Sequence, residues 1–240
     1  GWYYLKVHKF EIRISENIPL FARGHMLLPK QFAHCKSLVN IKNMDDYCFK
    51  YCILSKYVNE NKDLWISYLN KPDLETKYDW SCINFPTSLN DISKFEKINN
   101  VSVNVFGIEQ KIQTFNGRTC FTNELFPLKV CDDQKQDHHD LLLVSNEHNS
   151  HYVVISNFDQ FVRPYVTANN VPARVCKRCF THFNTCRYKS ADEKLRQHLE
   201  LCKSFEPVRC NLPKKESICF NNFEFSKKIR FVIYADFECI

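Results

Sequence analysis

Glycine is scarce, with only 4 in 240 residues. That argues against a glycine-rich phosphate loop, which needs backbone that approaches its ligand without a Cβ, and against a long flexible linker. No apolar run approaches the roughly 18 residues of a membrane-spanning helix, so none is expected. Nor is a secretory leader: residues 2–5 are apolar, but the run is short and is soon interrupted by Lys and Glu. There is no internal repeat and no low-complexity tract. Gly1 stands where a Met is usual, and a strand-like apolar run ends at Ile240 without a tail. The chain is therefore expected to be a piece of a longer protein.

Cysteine and aromatics are plentiful: 13 Cys, 20 Phe and 11 Tyr. An odd cysteine count at uneven spacing suits reduced, intracellular thiols with a few metal ligands among them, rather than a disulfide framework. The net charge of +6 is unevenly spread. Residues 171–215 hold eleven basic and four acidic side chains, a net +7, which leaves −1 for the rest of the chain. A basic island in a neutral protein is the electrostatic footprint of a nucleic-acid contact, the alternative being a solvated basic surface.

Alternation predicts strands over 3–14, 37–41, 101–106, 141–144 and 152–155, with a partner near 24–28 and a polar turn over 145–150. Helical spacing predicts a helix over 45–57, with Cys48, Cys52, Ile53 and Tyr57 on one face and Asn43 or Asp45 as cap. A second helix, over 89–99, would turn Ile92, Phe95 and Ile98 inward, and 158–162 reads as a short third one. Residues 59–87 carry no clear assignment. Proline punctuation over 164–172 sets a boundary. The expected class is α+β: a mixed α/β amino-terminal domain over 1–165, a small ββα-like unit over 171–211, a linker over 212–217, and strands within 218–240.

The most specific motif lies in the ββα-like unit. Cys176 and Cys179 sit three residues apart, fitting a tight knuckle that aims both sulfurs at one metal. His198 and Cys202, four apart, share one face of a helix that Ser190 can cap. Together they make the closed tetrahedral shell of structural zinc sites. Phe183 and Leu195 would fill the small core, with an inserted turn over 184–189, and His182, Cys186 and Cys210 are competing ligands. So small a unit depends on Zn²⁺ for most of its stability.

The last strand, Phe-Val-Ile-Tyr-Ala-Asp-Phe-Glu-Cys over 231–239, places Asp236 and Glu238 on one face. Two carboxylates there can hold Mg²⁺ or Mn²⁺, as in two-metal phosphodiester hydrolysis. By itself Asp-x-Glu is a weak signal. The run nevertheless resembles the first exonuclease motif of protein-primed family B DNA polymerases, most of all those of Polinton (Maverick) transposons. Residues 38–43 with Asp46, Cys48 and Phe49, then 141–143 with His151 and Tyr152, then the Cys/His segment, resemble the amino-terminal extension of the same polymerases, in the same order. The resemblance implies that Asp236 and Glu238 are the first metal ligands of an RNase H-like 3′–5′ proofreading exonuclease, cut short here. It implies DNA and a terminal protein primer as partners and a nuclear place of action. Later exonuclease acids and polymerase motifs are absent, so this stretch alone should neither polymerise nor proofread.

Two other readings stand beside it. Cys48 at a helix start, His151 on a distant strand and the nearby Asn157 or Asp159 match the order of papain-like and OTU-like cysteine peptidases, whose triads meet in space. The alternative there is a buried core cysteine and an ordinary turn histidine. The ββα-like unit can equally be read as a zinc-dependent interaction module without DNA contact. His138, His139, His148 and His151 cluster in sequence, but their spacing fits no common metal shell.

Overall fold

The alternation at 101–106 extends well beyond its expected end. The computed structural model describes residues 24–32, 35–58, 66, 69–115, 118–146, 149–185 and 190–205, without the side chains of 31 and 110–122. In it a strand over Ser102–Phe115 (β2) returns as Arg118–Lys129 (β3), which the sequence pattern did not predict. All described residues belong to one compact unit, Ile18–Cys210. The strands expected over 3–14 and within 218–240, with Asp236 and Glu238, lie outside the described residues.

The architecture is mixed α/β. Leu38–Val39 (β1), His138–Ser145 (β4) and Ser150–Ile155 (β5) complete a five-stranded sheet of order β1-β5-β4-β2-β3. Only β2 and β4 run parallel; the other pairs are antiparallel. Among the described residues, five helices accompany the sheet: Cys48–Leu54 (α1), Pro72–Glu75 (α2), Leu89–Asn99 (α3), Phe158–Val166 (α4) and Ala191–Cys202 (α5). A separate ribbon pairs Ala173–Val175 (β6) with His182–Asn184 (β7).

The sheet is buried on both faces, which is why β4 reads as the unbroken run Leu141–Val144 rather than as an alternation. One core gathers Val103, Val105, Leu141, Leu143 and Tyr152 under Phe49 of α1 and Phe95 of α3. The opposite core gathers Phe106, Leu142, Val144, Val153 and Ile155 under Phe158, Phe161 and Val162 of α4. Full burial of each large side chain contributes ~1.5–3 kcal/mol.

The 89–99 helix forms as expected. Ser88 Oγ accepts from the Asp91 N–H at 3.2 Å, and Asn100 closes the far end in the left-handed region at φ +52°. Ile98, however, is 55 % exposed. Steps of three lag the 3.6-residue turn, so Ile92 and Phe95 face the sheet while the third residue has rotated off the stripe. The 45–57 helix starts later, at Cys48, and ends in a 3₁₀ turn over Ser55–Tyr57. Neither expected cap serves it. Asp45 instead braces the preceding turn, its Oδ1 accepting from the Tyr47 N–H and its Oδ2 from the Tyr51 hydroxyl. Residues 24–28 form no strand; the Gly24 and His25 N–H groups donate to the Asp45 and Asn43 carbonyls. The third helix runs past Pro164 to Val166, and the expected turn over 145–150 is closed by the Asn146 N–H to the Asn149 carbonyl.

Candidate metal centre

The metal-ligand pattern assembles on three short elements. Val175 at the end of β6 is buried in the core beneath α4 and anchors the adjoining loop. The Phe180 N–H donates to the Cys176 carbonyl and the Cys176 N–H to the Thr181 carbonyl, both at 2.9 Å, closing a knuckle. Phe180 takes φ +61°, an unusual backbone for a residue with a Cβ. Its ring is held against Phe106 and Phe158. Across the ribbon, β7 leads to α5, whose N-cap Ser190 accepts from the Glu193 N–H at 3.3 Å. Four residues apart on α5, His198 and Cys202 face the knuckle.

The Cys176, Cys179 and Cys202 sulfurs and a ring nitrogen of His198 all lie within 4.8 Å of one another, so these four residues could hold one metal ion. Among the described residues they are the one Cys/His/carboxylate group so arranged. Cys176 Sγ and Cys202 Sγ are 3.9 Å apart, too far for a disulfide. A tetrahedral shell with ~2.3 Å metal–sulfur bonds separates its sulfurs by ~3.8 Å. Cys179 Sγ lies 3.2 Å from His198 Nε2 and accepts from, or donates to, Thr181 Oγ1 at 3.1 Å. Burial pushes the Cys176 thiol up to about 12. Cys179 is also desolvated, but hydrogen bonds from Thr181 outweigh that and bring it below the ordinary thiol value. A divalent cation would favour all three thiolates and remove the cost of burying Cys176. On a tetrahedral ion, four protein ligands would leave no open position for substrate. The ring of Phe183 rests 5.6 Å from that of His198, and Leu195 is half-buried on the inner side of α5, consistent with their expected packing role. Of the competing ligands, Cys186 and Cys210 lie outside the described residues, and His182 is not part of the group.

Among the described residues of the basic island, most cations are paired with carboxylates. Arg174 pairs with Asp159 and Asp192, Lys177 with Asp140, Lys203 with Asp133, and Arg196 with Glu193 and Glu200. Arg178, almost wholly buried, donates to the Phe205 carbonyl and lies 3.8 Å from Asp132. Asp132, Asp133, Asp140 and Asp159 come from outside the basic segment. Sequence counting kept positive and negative segments apart that the fold lays against one another.

The structure does not bring Cys48 and His151 together, and the cysteine-peptidase reading is corrected on that point. Cys48 belongs to the core under α1, where Phe49 packs on Tyr152 and Cys52 donates to the Tyr152 carbonyl. Successive strand residues point to opposite faces, so His151, next to Tyr152, faces away from α1. It is fully buried there, with its Nε2 2.9 Å from Asn40 Oδ1. Burial pushes the Cys48 thiol up to about 11, contrary to an activated thiolate. Asn157 caps α4 through the Gln160 N–H, and Asp159 serves Arg174 and the Val175 N–H.

One cluster gave little sign of itself in the sequence. At the start of β4, His138 Nδ1 lies 2.8 Å from Ser102 Oγ and its Nε2 2.9 Å from Asp140 Oδ1. Asp137 accepts from Lys56, Tyr57 and Tyr78. The signal available was the i, i+2 spacing of His138 and Asp140; their partners, 34 or more residues away in sequence, gave none. His148 lies outside the described residues, and His138, His139 and His151 form no metal group. No described helix is long and apolar enough to cross a membrane. Comparison with known proteins gives no match, neither to a family model nor to a curated protein nor to a solved structure.

Proposed function

We propose that the chain is the amino-terminal part of a family B DNA polymerase, in which a zinc-stapled ββα finger is held on a mixed α/β body just ahead of the proofreading exonuclease. The observation that carries this reading is the convergence of Cys176, Cys179, His198 and Cys202 on one point, upstream of a sequence run whose Asp236 and Glu238 suit Mg²⁺ or Mn²⁺. Zinc is the ion that three thiolates and one imidazole at tetrahedral spacing favour. The finger's role is to fix the approach of DNA, or of a terminal protein, to the domains downstream. A second reading, a zinc-dependent protein-interaction module, is favoured by the ion pairs that occupy Arg174, Arg196 and Lys203.

The purified chain should contain about one zinc ion, and Cys176→Ser should lower that content; full retention in the variant would sink the metal assignment. DNA affinity measured against salt separates the two readings. A log–log slope of several ions released supports DNA engagement. Absence of DNA binding at low salt, with zinc retained, leaves the interaction module.

A further inference from the structure

A second site lies where α1, the start of β4 and the metal knuckle meet. The cleft there has a volume of about 500 Å³ and is lined on its polar side by Lys56, Lys177, His138, His139 and Asp140, and on its apolar side by Val39, Val154 and Ile155. We propose that this cleft binds the phosphate group of a small phosphate ester of mononucleotide size. The size is that of small-molecule pockets, which combine an apolar wall with a few convergent polar groups.

The charges decide the ligand class. Two carboxylates stand beside the two ammonium groups, and at first sight they cancel them. Each carboxylate, however, has other donors. Asp137 Oδ2 takes the Tyr57 and Tyr78 hydroxyls, and its Oδ1 lies 3.2 Å from His139 Nε2. Asp140 Oδ1 takes Asn104 Nδ2 at 3.0 Å and lies 2.9 Å from His138 Nε2. An ammonium carries three N–H donors. Lys56 spends one on Asp137; Lys177 spends two, on Asp140 and Gln134. Both therefore keep donors for a further anion while their acids stay satisfied. Burial opposes charge on Asp137, but the hydrogen bonds from Lys56 and Tyr78 prevail and hold it at about 2, so it stays a fixed anion that positions Lys56. Lys177 lies between the ligands Cys176 and Cys179, so the knuckle that gathers the metal ligands also presents this ammonium to the cleft. A phosphate ester fits better than an unsubstituted anion because Val39, Val154 and Ile155 give the cleft an apolar wall for the esterified group. A small molecule fits better than a strand because Arg174, Arg178, Arg196 and Lys203 of the ββα unit are already paired.

The inference does not rest on the polymerase reading, and its test uses neither DNA nor zinc content. AMP titrated into the full chain should bind saturably, seen as calorimetric heat and as shifts of the Lys56 and Lys177 side-chain resonances. Adenosine should bind at least tenfold more weakly, the equivalent of losing one charge-assisted hydrogen bond. Inorganic phosphate should compete, and more weakly than AMP. Lys56→Gln and Lys177→Gln should each weaken AMP by about tenfold, and Lys177→Arg, which keeps the charge, should restore most of the affinity. Thermal melts of each variant separate lost binding from lost folding. The proposal is overturned if millimolar AMP gives no saturable signal, if adenosine matches AMP, or if the folded glutamine variants bind AMP unchanged.

Discussion

Two sites could be drawn from the sequence, one on Cys176, Cys179, His198 and Cys202 and the other on Cys48 and His151, and the fold treats them oppositely. The first assembles from pairs three and four residues apart, each oriented by its own local element, so only the docking of one helix on one ribbon remained open. The second joined residues 103 positions apart on a helix and a strand. There, a single-residue difference in strand parity sends one side chain above the sheet and the other below it. Ligand sets made of short-range pairs are robust to errors in topology, whereas a long-range dyad is not.

The comparison breaks most visibly if the metal is removed. Chelation should release the ion and abolish amide-exchange protection across α5, while α1, α3 and the central sheet, which rest on apolar cores, keep theirs. Structural zinc in finger peptides binds with ~10–16 kcal/mol at pH 7, so the effect on the ββα unit should be nearly complete. Persisting α5 protection without metal would show that packing holds the unit.

Acid tests the buried histidines, which lie on opposite faces of the sheet. Burial lowers both His139 and His151 to about 4, below the ~6.5 of an unfolded chain. The unfolded state then takes up the proton first. The stability is present above the unfolded value and is lost as the pH falls from ~6.5 towards 4, by up to ~1.4 kcal/mol per pH unit for each histidine. Asp137, held at about 2, adds a loss of the same sign at lower pH. Urea unfolding at several pH values, with chelator present so that the ligands do not contribute, should show that His151→Gln removes about one proton from the slope. An unaltered slope would mean that His151 titrates as an exposed group.

The smallest effect is on labelling. With its thiol up at about 11, Cys48 should hold roughly a hundredfold less thiolate at neutral pH than an unperturbed cysteine. Iodoacetamide, read by peptide mass spectrometry, should modify the half-exposed Cys35 and Cys82 well before Cys48. Faster labelling of Cys48 would revive an activated thiol there.

Much of the local structure was legible. The helix over Leu89–Asn99 and its Ser88 cap follow from spacing and from one hydroxyl, and Ser190 marks the start of α5 in the same way. The turn between β4 and β5 and the apolar strands on either side were equally plain. β3 was not, because a polar run with scattered apolar residues becomes a strand only when β2 supplies its hydrogen bonds. The parallel pairing of β2 with β4, which creates the cluster around His138, Asp137 and Asp140, links residues 36 apart and has no local signature.

By itself the sequence determined the ligand set, the two capped helices and the apolar segments, since each depends on side chains within one or two turns of one another. The tertiary structure alone decided that Cys48 and His151 are kept apart, that Arg174, Lys177, Arg178 and Lys203 of the basic segment meet acids from elsewhere in the chain, and that Lys56 and Lys177 share a cleft. Those outcomes depend on strand order and face, which arise from the packing of distant segments into two cores.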